Sequence, residues 1–190
     1  MKIGILRVGK VDAEVTERVR GSLGSDFANS ETELIAEELQ LPEKTYDEAR
    51  GQYDSDVILQ KIEDYAEKQT RFDRILGIID VDIFVPRLNF VFGVAKHPGK
   101  AALVSLWRLK PEFYGQSSKR ELLFERSAKE SVHELGHTLG LDHCANPFCV
   151  MHFSNAILET DVKKSLFCSQ CSIKAEAAIE KTRANLEGTV

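Results

Sequence analysis

Long apolar runs are absent from this sequence. No segment approaches the roughly 18 consecutive apolar residues of a membrane-spanning helix. The opening MKIGILRVGKVD offers only Ile3 to Leu6 before Arg7 breaks the run, too short for the apolar core of a secretory leader. A cytoplasmic chain is expected. Lopsided charge is absent too: 25 Lys and Arg stand against 30 Asp and Glu, net −5, with no like-charged block. That balance disfavours a protein that tracks nucleic-acid phosphates and suits a neutral or peptidic partner. Internal repeats and low-complexity tracts are lacking, so 190 residues at 43% hydrophobic are read as one domain, 1–190, around one core. Cysteine is scarce, four in all, and confined to positions 144 to 171. In a reducing compartment such cysteines serve as metal ligands or free thiols rather than disulfides, intracellular disulfides of hyperthermophiles being the exception.

What is present reads as an α/β (α+β) chain. KIGILRVG has the pattern of a buried strand, and VDAEVTERVRGSL that of a helix with Asp12 as cap and Val11, Val15 and Val19 on one face. Residues 34 to 41, ending at Pro42, fit either element. A second helix is predicted over 55 to 69, capped by Asp54 or Ser55, with Ile58, Ile62 and Tyr65 at helical spacing. Segments 74 to 84, 89 to 95 and 102 to 109 are rich in β-branched and aromatic residues and separated by turn signals at Pro86 and Pro98-Gly99. Together these predict a mixed sheet of four to five strands. Ser118 to Glu121 matches a capping box, followed by an apolar stripe of Phe124, Ala128, Val132, Leu135 and Leu139 up to Gly140, which predicts about six helical turns. SIKAEAAIEKTRANLE predicts a terminal helix capped by Ser172.

The densest chemistry lies in HELGHTLGLDHCANPFCVMHF, residues 133 to 153. His133 and His137 are four apart on the predicted helix, so both imidazoles face one way and can bind one ion. Glu134 is rotated about 100° from His133 and can reach a water on that ion rather than ligate it. Gly140 permits a left-handed turn that brings His143 back toward the same point. Three imidazoles leave a fourth zinc position open. There a bound water is acidified, Glu134 can accept its proton as it attacks a carbonyl, and the same glutamate can protonate the leaving amine.

HELGHTLGLDH resembles the zinc-binding pattern of the metzincins, H-E-x-x-H-x-x-G-x-x-H. With Met151 eight residues after His143, HCANPFCVM followed by CSQC looks like the archaemetzincin signature, specific over residues 133 to 171. The resemblance implies a metzincin-like twisted sheet with an active-site helix, in an upper subdomain (1–140), and an irregular zinc-stapled lower subdomain (141–190) that carries the Met-turn. It further implies a catalytic zinc on His133, His137 and His143, Glu134 as general base, Met151 as the hydrophobic floor, and a zinc metallopeptidase acting on a peptide or protein substrate; a monomer is expected. Phe153 stands where some metzincins carry a tyrosine, and it can pack but not donate a hydrogen bond.

Cys144, Cys149, Cys168 and Cys171 form a CxxxxC and a CxxC pair separated by 18 residues. Four thiolates would enclose a structural zinc; two disulfides or a redox CxxC are the competing readings, and the resemblance favours the second zinc. His152 is expected in a loop, and His97 in a turn. NFVFGVA is the candidate edge strand for an extended peptide, an interior strand being the alternative. Two other functions compete: a zinc-stabilised protein that binds peptides without turnover, to which Glu134 would be superfluous, and a nucleic-acid-binding zinc module, disfavoured by charge.

Overall fold

A computed structural model describes residues 1–27 and 30–187. Strand β1 (Lys2–Val8) leads into helix α1 (Ala13–Asp26), where Asp12 accepts from the Glu14 N–H as predicted, and the chain returns as β2 (Glu31–Leu39). This strand resolves the ambiguous segment before Pro42; only Ile35 of it is buried, which suits an outer strand. A short antiparallel pair, β3 (Tyr46–Asp47) and β4 (Gln52–Asp54), precedes α2 (Ser55–Lys68), capped by Asp54. Four short strands follow: β5 (Arg74–Ile79), β6 (Ile83–Phe84), β7 (Gly93–Ala95) and β8 (Ala101–Ser105). Helix α3 (Arg120–Thr138) is the longest buried element; α4 (Ile157–Val162) and α5 (Ser169–Glu187) complete the chain.

The main sheet has five strands in the order β2-β1-β5-β8-β7, matching the predicted mixed sheet. Every pair is parallel except β7 with β8. Its interior strands are apolar on both faces, as a sheet covered on both sides requires. One face meets α1 and α3 through Val15, Val19, Leu23, Val132 and Leu135; the other meets α2 through Ile58 and Ile62.

Five element boundaries differ from the sequence expectation. Segment 74–84 divides at Asp80, because Ile83 and Phe84 pair with β4 in a second, three-stranded sheet. Residues 102–109 leave the sheet at Leu106 for 3₁₀ turns at Trp107–Leu109 and Pro111–Tyr114, and of 89–95 only the last three residues are strand. Helix α3 is 19 residues, about five turns, and Ser118 does not cap it: the preceding residue is Lys119 with no side-chain cap, and Ser118 bonds Glu112 instead. Likewise Ser172 lies inside α5, its N–H donating to the Cys168 carbonyl, so the CxxC pair sits at the start of that helix.

Candidate active site

The C-terminal half of α3 carries His133, Glu134 and His137 on a helix buried along most of its length. Gly140 ends it at φ +85°, the left-handed region favourable to glycine. Its N–H donates to the His137 carbonyl and that of Leu141 to Gly136, which turns the chain so that His143 faces back. The ligand nitrogens of His133, His137 and His143 lie within 4.8 Å of one another.

The imidazole tautomers are set by backbone acceptors. His133 Nδ1 lies 2.8 Å from the Val150 carbonyl oxygen and His137 Nδ1 2.7 Å from that of Leu141. A proton on each Nδ1 leaves the lone pair of each Nε2 free, with the two nitrogens only 3.1 Å apart. Two acceptors at that distance repel unless a cation lies between them. Two nitrogens bound to one tetrahedral zinc at ~2.05 Å would be about 3.3 Å apart, so the spacing fits the ion. Burial, the first cause at each, holds all three imidazoles below their usual range, His137 at about 4, which keeps them neutral and ligand-competent.

Glu134 is buried, and burial, reinforced by nearby Glu130, pushes its carboxyl well above the usual range. A divalent cation at the histidines would act in the opposite direction. Against it lies Gly93 of β7, where a methyl group would sit 2.6 Å from the Glu134 side chain and 2.7 Å from the Leu103 carbonyl oxygen. Glu130 lies one turn before Glu134 on the same helix; Lys163 Nζ meets its Oε1 at 2.8 Å, and Thr160 donates to the same oxygen at 2.9 Å, all three residues being buried. A cleft of about 410 Å³ opens between β7 and α3, lined by Phe90, Gly93, Glu134, His143 and Phe153 among others. Phe153 packs on His143 at 4.8 Å between ring centres. Strand β7 is the edge strand of the main sheet, which agrees with the edge expected of NFVFGVA.

Met151 is fully buried beneath the histidine helix, where Gly136 admits it: a Cβ there would lie 2.4 Å from the methionine sulfur. An isolated glycine inside a helical pattern was the sequence signal for this contact, and Gly93 had a similar one inside its strand. Nothing in the sequence paired Glu130 with Lys163, 33 residues away across the lower segment.

Cys144, Cys149, Cys168 and Cys171 bring their four sulfurs within 4.8 Å of one another, with no disulfide between them. Cys144 and Cys168 Sγ are 3.8 Å apart, matching the ~3.8 Å expected of two thiolates on one tetrahedral zinc. The Cys171 N–H, donating to Cys168, lowers that thiol to about 7, while burial raises Cys149 and Cys171. His152 lies in the loop as expected, its Nδ1 2.9 Å from the Cys144 carbonyl oxygen. His97 does sit in the β7–β8 turn, yet it does more than turn: its ring is 5.6 Å from that of His137, and both imidazoles address the Leu141 carbonyl.

Comparison with known proteins agrees with this geometry. Residues 5–177 match the family model of Peptidase family M54. The chain is 41% identical to the archaemetzincin of Methanocaldococcus jannaschii, covering 93% of each, and 40% identical to that of Pyrococcus abyssi, covering 94% of this chain and 96% of the other. The crystal structure of archaemetzincin from Methanopyrus kandleri superposes with a TM-score of 0.82 at 33% identity, over 95% of this chain and 96% of that one. The chain therefore belongs to Peptidase family M54, the archaemetzincins, and is a zinc metallopeptidase whose substrates are peptides or proteins.

Proposed function

We propose that the chain hydrolyses peptide bonds with Glu134 as general base, that His133, His137 and His143 hold the catalytic zinc, and that Cys144, Cys149, Cys168 and Cys171 hold a second, structural one. The observation that carries the reading is the pair of unprotonated Nε2 atoms 3.1 Å apart, each fixed by a backbone acceptor on its Nδ1. A zinc ion held there supplies Lewis acidity, bringing the pKa of a bound water toward about 7 and polarising the scissile carbonyl. Edge strand β7 pairs with the substrate backbone in antiparallel fashion, which lays the scissile bond opposite Gly93 and Glu134. Glu134 accepts the proton of the attacking water, then returns it to the departing amine. Met151 supports the histidines from below as the Met-turn floor, and the cysteine site ties the segment bearing it to α5. The lower segment from Leu141 onward acts with the upper sheet as one catalytic unit, working as a monomer in the cytoplasm.

A protein that binds peptides without turnover would need no buried carboxylate held against the cleft by Gly93. Glu134→Gln separates the two readings. Hydrolysis of a mixed peptide library should fall by about 10³-fold or more with zinc content unchanged; retention of wild-type turnover would remove Glu134 from the reaction.

A further inference from the structure

A ladder of aromatic rings and one guanidinium runs away from the cleft. Phe92, in the cleft wall, contacts Phe90 edge-on at 5.2 Å between ring centres. Arg108 stacks on Phe90 at 4.3 Å and on Phe113 at 4.8 Å, and Phe113 meets Tyr114 at 5.1 Å. Exposure rises outward along this path: Phe92 is 5% exposed and Phe113 41%, and Trp107, next to Arg108 in sequence, is 42% exposed. Large side chains left in water along a continuous line from a binding cleft mark a surface built for contact. The line is also held in place. Arg108 forms a two-pronged pair with Asp82, Lys110 pairs with Asp80, Tyr114 donates to the Arg108 carbonyl, and buried Arg126 donates to the Leu109 carbonyl.

Those pairings fix the chemistry of the partner. Both basic side chains of the ridge are neutralised by aspartates, so it offers ring faces and edges rather than net charge, which suits apolar and aromatic side chains and not an anion. Direction follows from the sheet. A peptide added antiparallel to β7 runs from the Ala95 end toward Gly93 and then Phe90, so whatever reaches the ridge lies C-terminal to the bond held at Gly93. We propose that the Phe90–Arg108–Phe113 ridge is a secondary binding surface for the substrate chain beyond the scissile bond, taking apolar or aromatic side chains about three to five residues downstream. The direction rests on the peptidase reading above; the surface itself does not.

Trp107 is the only tryptophan of the chain, precedes Arg108 and has Lys110 over its ring, so its emission reports a peptide seated beside the ridge. The probes are two peptides headed by an N-terminal mercaptoacetyl group, which presents a thiolate to zinc and leaves the chain free to run only in the C-terminal direction. One ends about two residues later, and the other continues for about six with Phe and Leu at the distal positions. The long peptide should shift Trp107 emission saturably and bind at least fivefold more tightly than the short one, and Phe113→Ala should remove most of that advantage. A long peptide that inhibits hydrolysis no better than the short one and leaves Trp107 unmoved overturns the ridge while leaving the peptidase intact. A Trp107 response to the long peptide in a protein that hydrolyses nothing supports the ridge and removes the turnover reading instead.

Discussion

Replacing Gly93 by alanine adds one methyl group in a place with no room for it. The new carbon would lie 2.6 Å from both Cγ and Oε1 of Glu134 and 2.7 Å from the Leu103 carbonyl oxygen. The backbone oxygen cannot step aside without breaking the β7–β8 pairing, in which Gly93 lies opposite Val104, so the glutamate must move. A displacement of about 1 Å in a reacting group costs on the order of 10²-fold in rate. Full loss of a general base costs about 10² to 10⁴. Gly93→Ala should therefore lower kcat/KM for peptide hydrolysis by about 100-fold, with a destabilisation of about 1–3 kcal/mol from overpacking. The three atoms nearest the new methyl group belong to Glu134 and Leu103 and not to a histidine, so zinc content should not change. Gly21→Ala is the matched control: a Cβ there meets nothing within 4 Å, and alanine in the middle of α1 should add roughly 0.5–1 kcal/mol of stability with unaltered turnover. Steady-state hydrolysis, zinc analysis and urea unfolding of the three proteins decide the matter. Hydrolysis by Gly93→Ala within threefold of wild type would refute the placement of Glu134 against this strand.

Two further outcomes follow from buried groups. Lys163→Met leaves the Glu130 carboxylate buried beside Glu134 without its ammonium partner, which should cost about 3–5 kcal/mol in denaturant unfolding, and Glu130→Leu in the same chain should recover most of it; a loss below 1 kcal/mol would contradict the burial of this ion pair. His137 is held at about 4 against 6.5 in an unfolded chain, so its neutral form is favoured on folding. Its contribution is present above pH 6.5 and lost as the pH falls toward 4, a change of about 3 kcal/mol. In metal-free protein the stability difference between wild type and His137→Gln should shift by that amount between pH 7 and 4, and a difference independent of pH would contradict the burial of this imidazole.

Local pattern made much of this protein legible. The α1 and α2 caps at Asp12 and Asp54, the stripe Val15–Val19 and the stripe Ile58–Ile62 obey helical periodicity and appear as read. The left-handed turn at Gly140 does too, because only backbone sterics are involved. Elements decided by distant partners were harder to read. β2 needed β1 beside it to become a strand, Ile83 and Phe84 left their apolar run to pair with β4, and Ser118 gave up its cap position for Glu112. The same division holds at the site. His133, His137 and His143 carry their relation in their spacing, whereas Glu130 with Lys163, Gly93 with Glu134, and His97 with His137 are brought together only by tertiary packing.

Zinc content per chain, measured by elemental analysis on wild type, His137→Ala and Cys168→Ser, tests the central claim most directly. Two ions in the wild type, falling to one in each variant with hydrolysis abolished in the histidine variant, are the predicted result. A single ion in the wild type that vanishes with His137 would contradict the cysteine site, and two ions that both survive His137→Ala would contradict the histidine one.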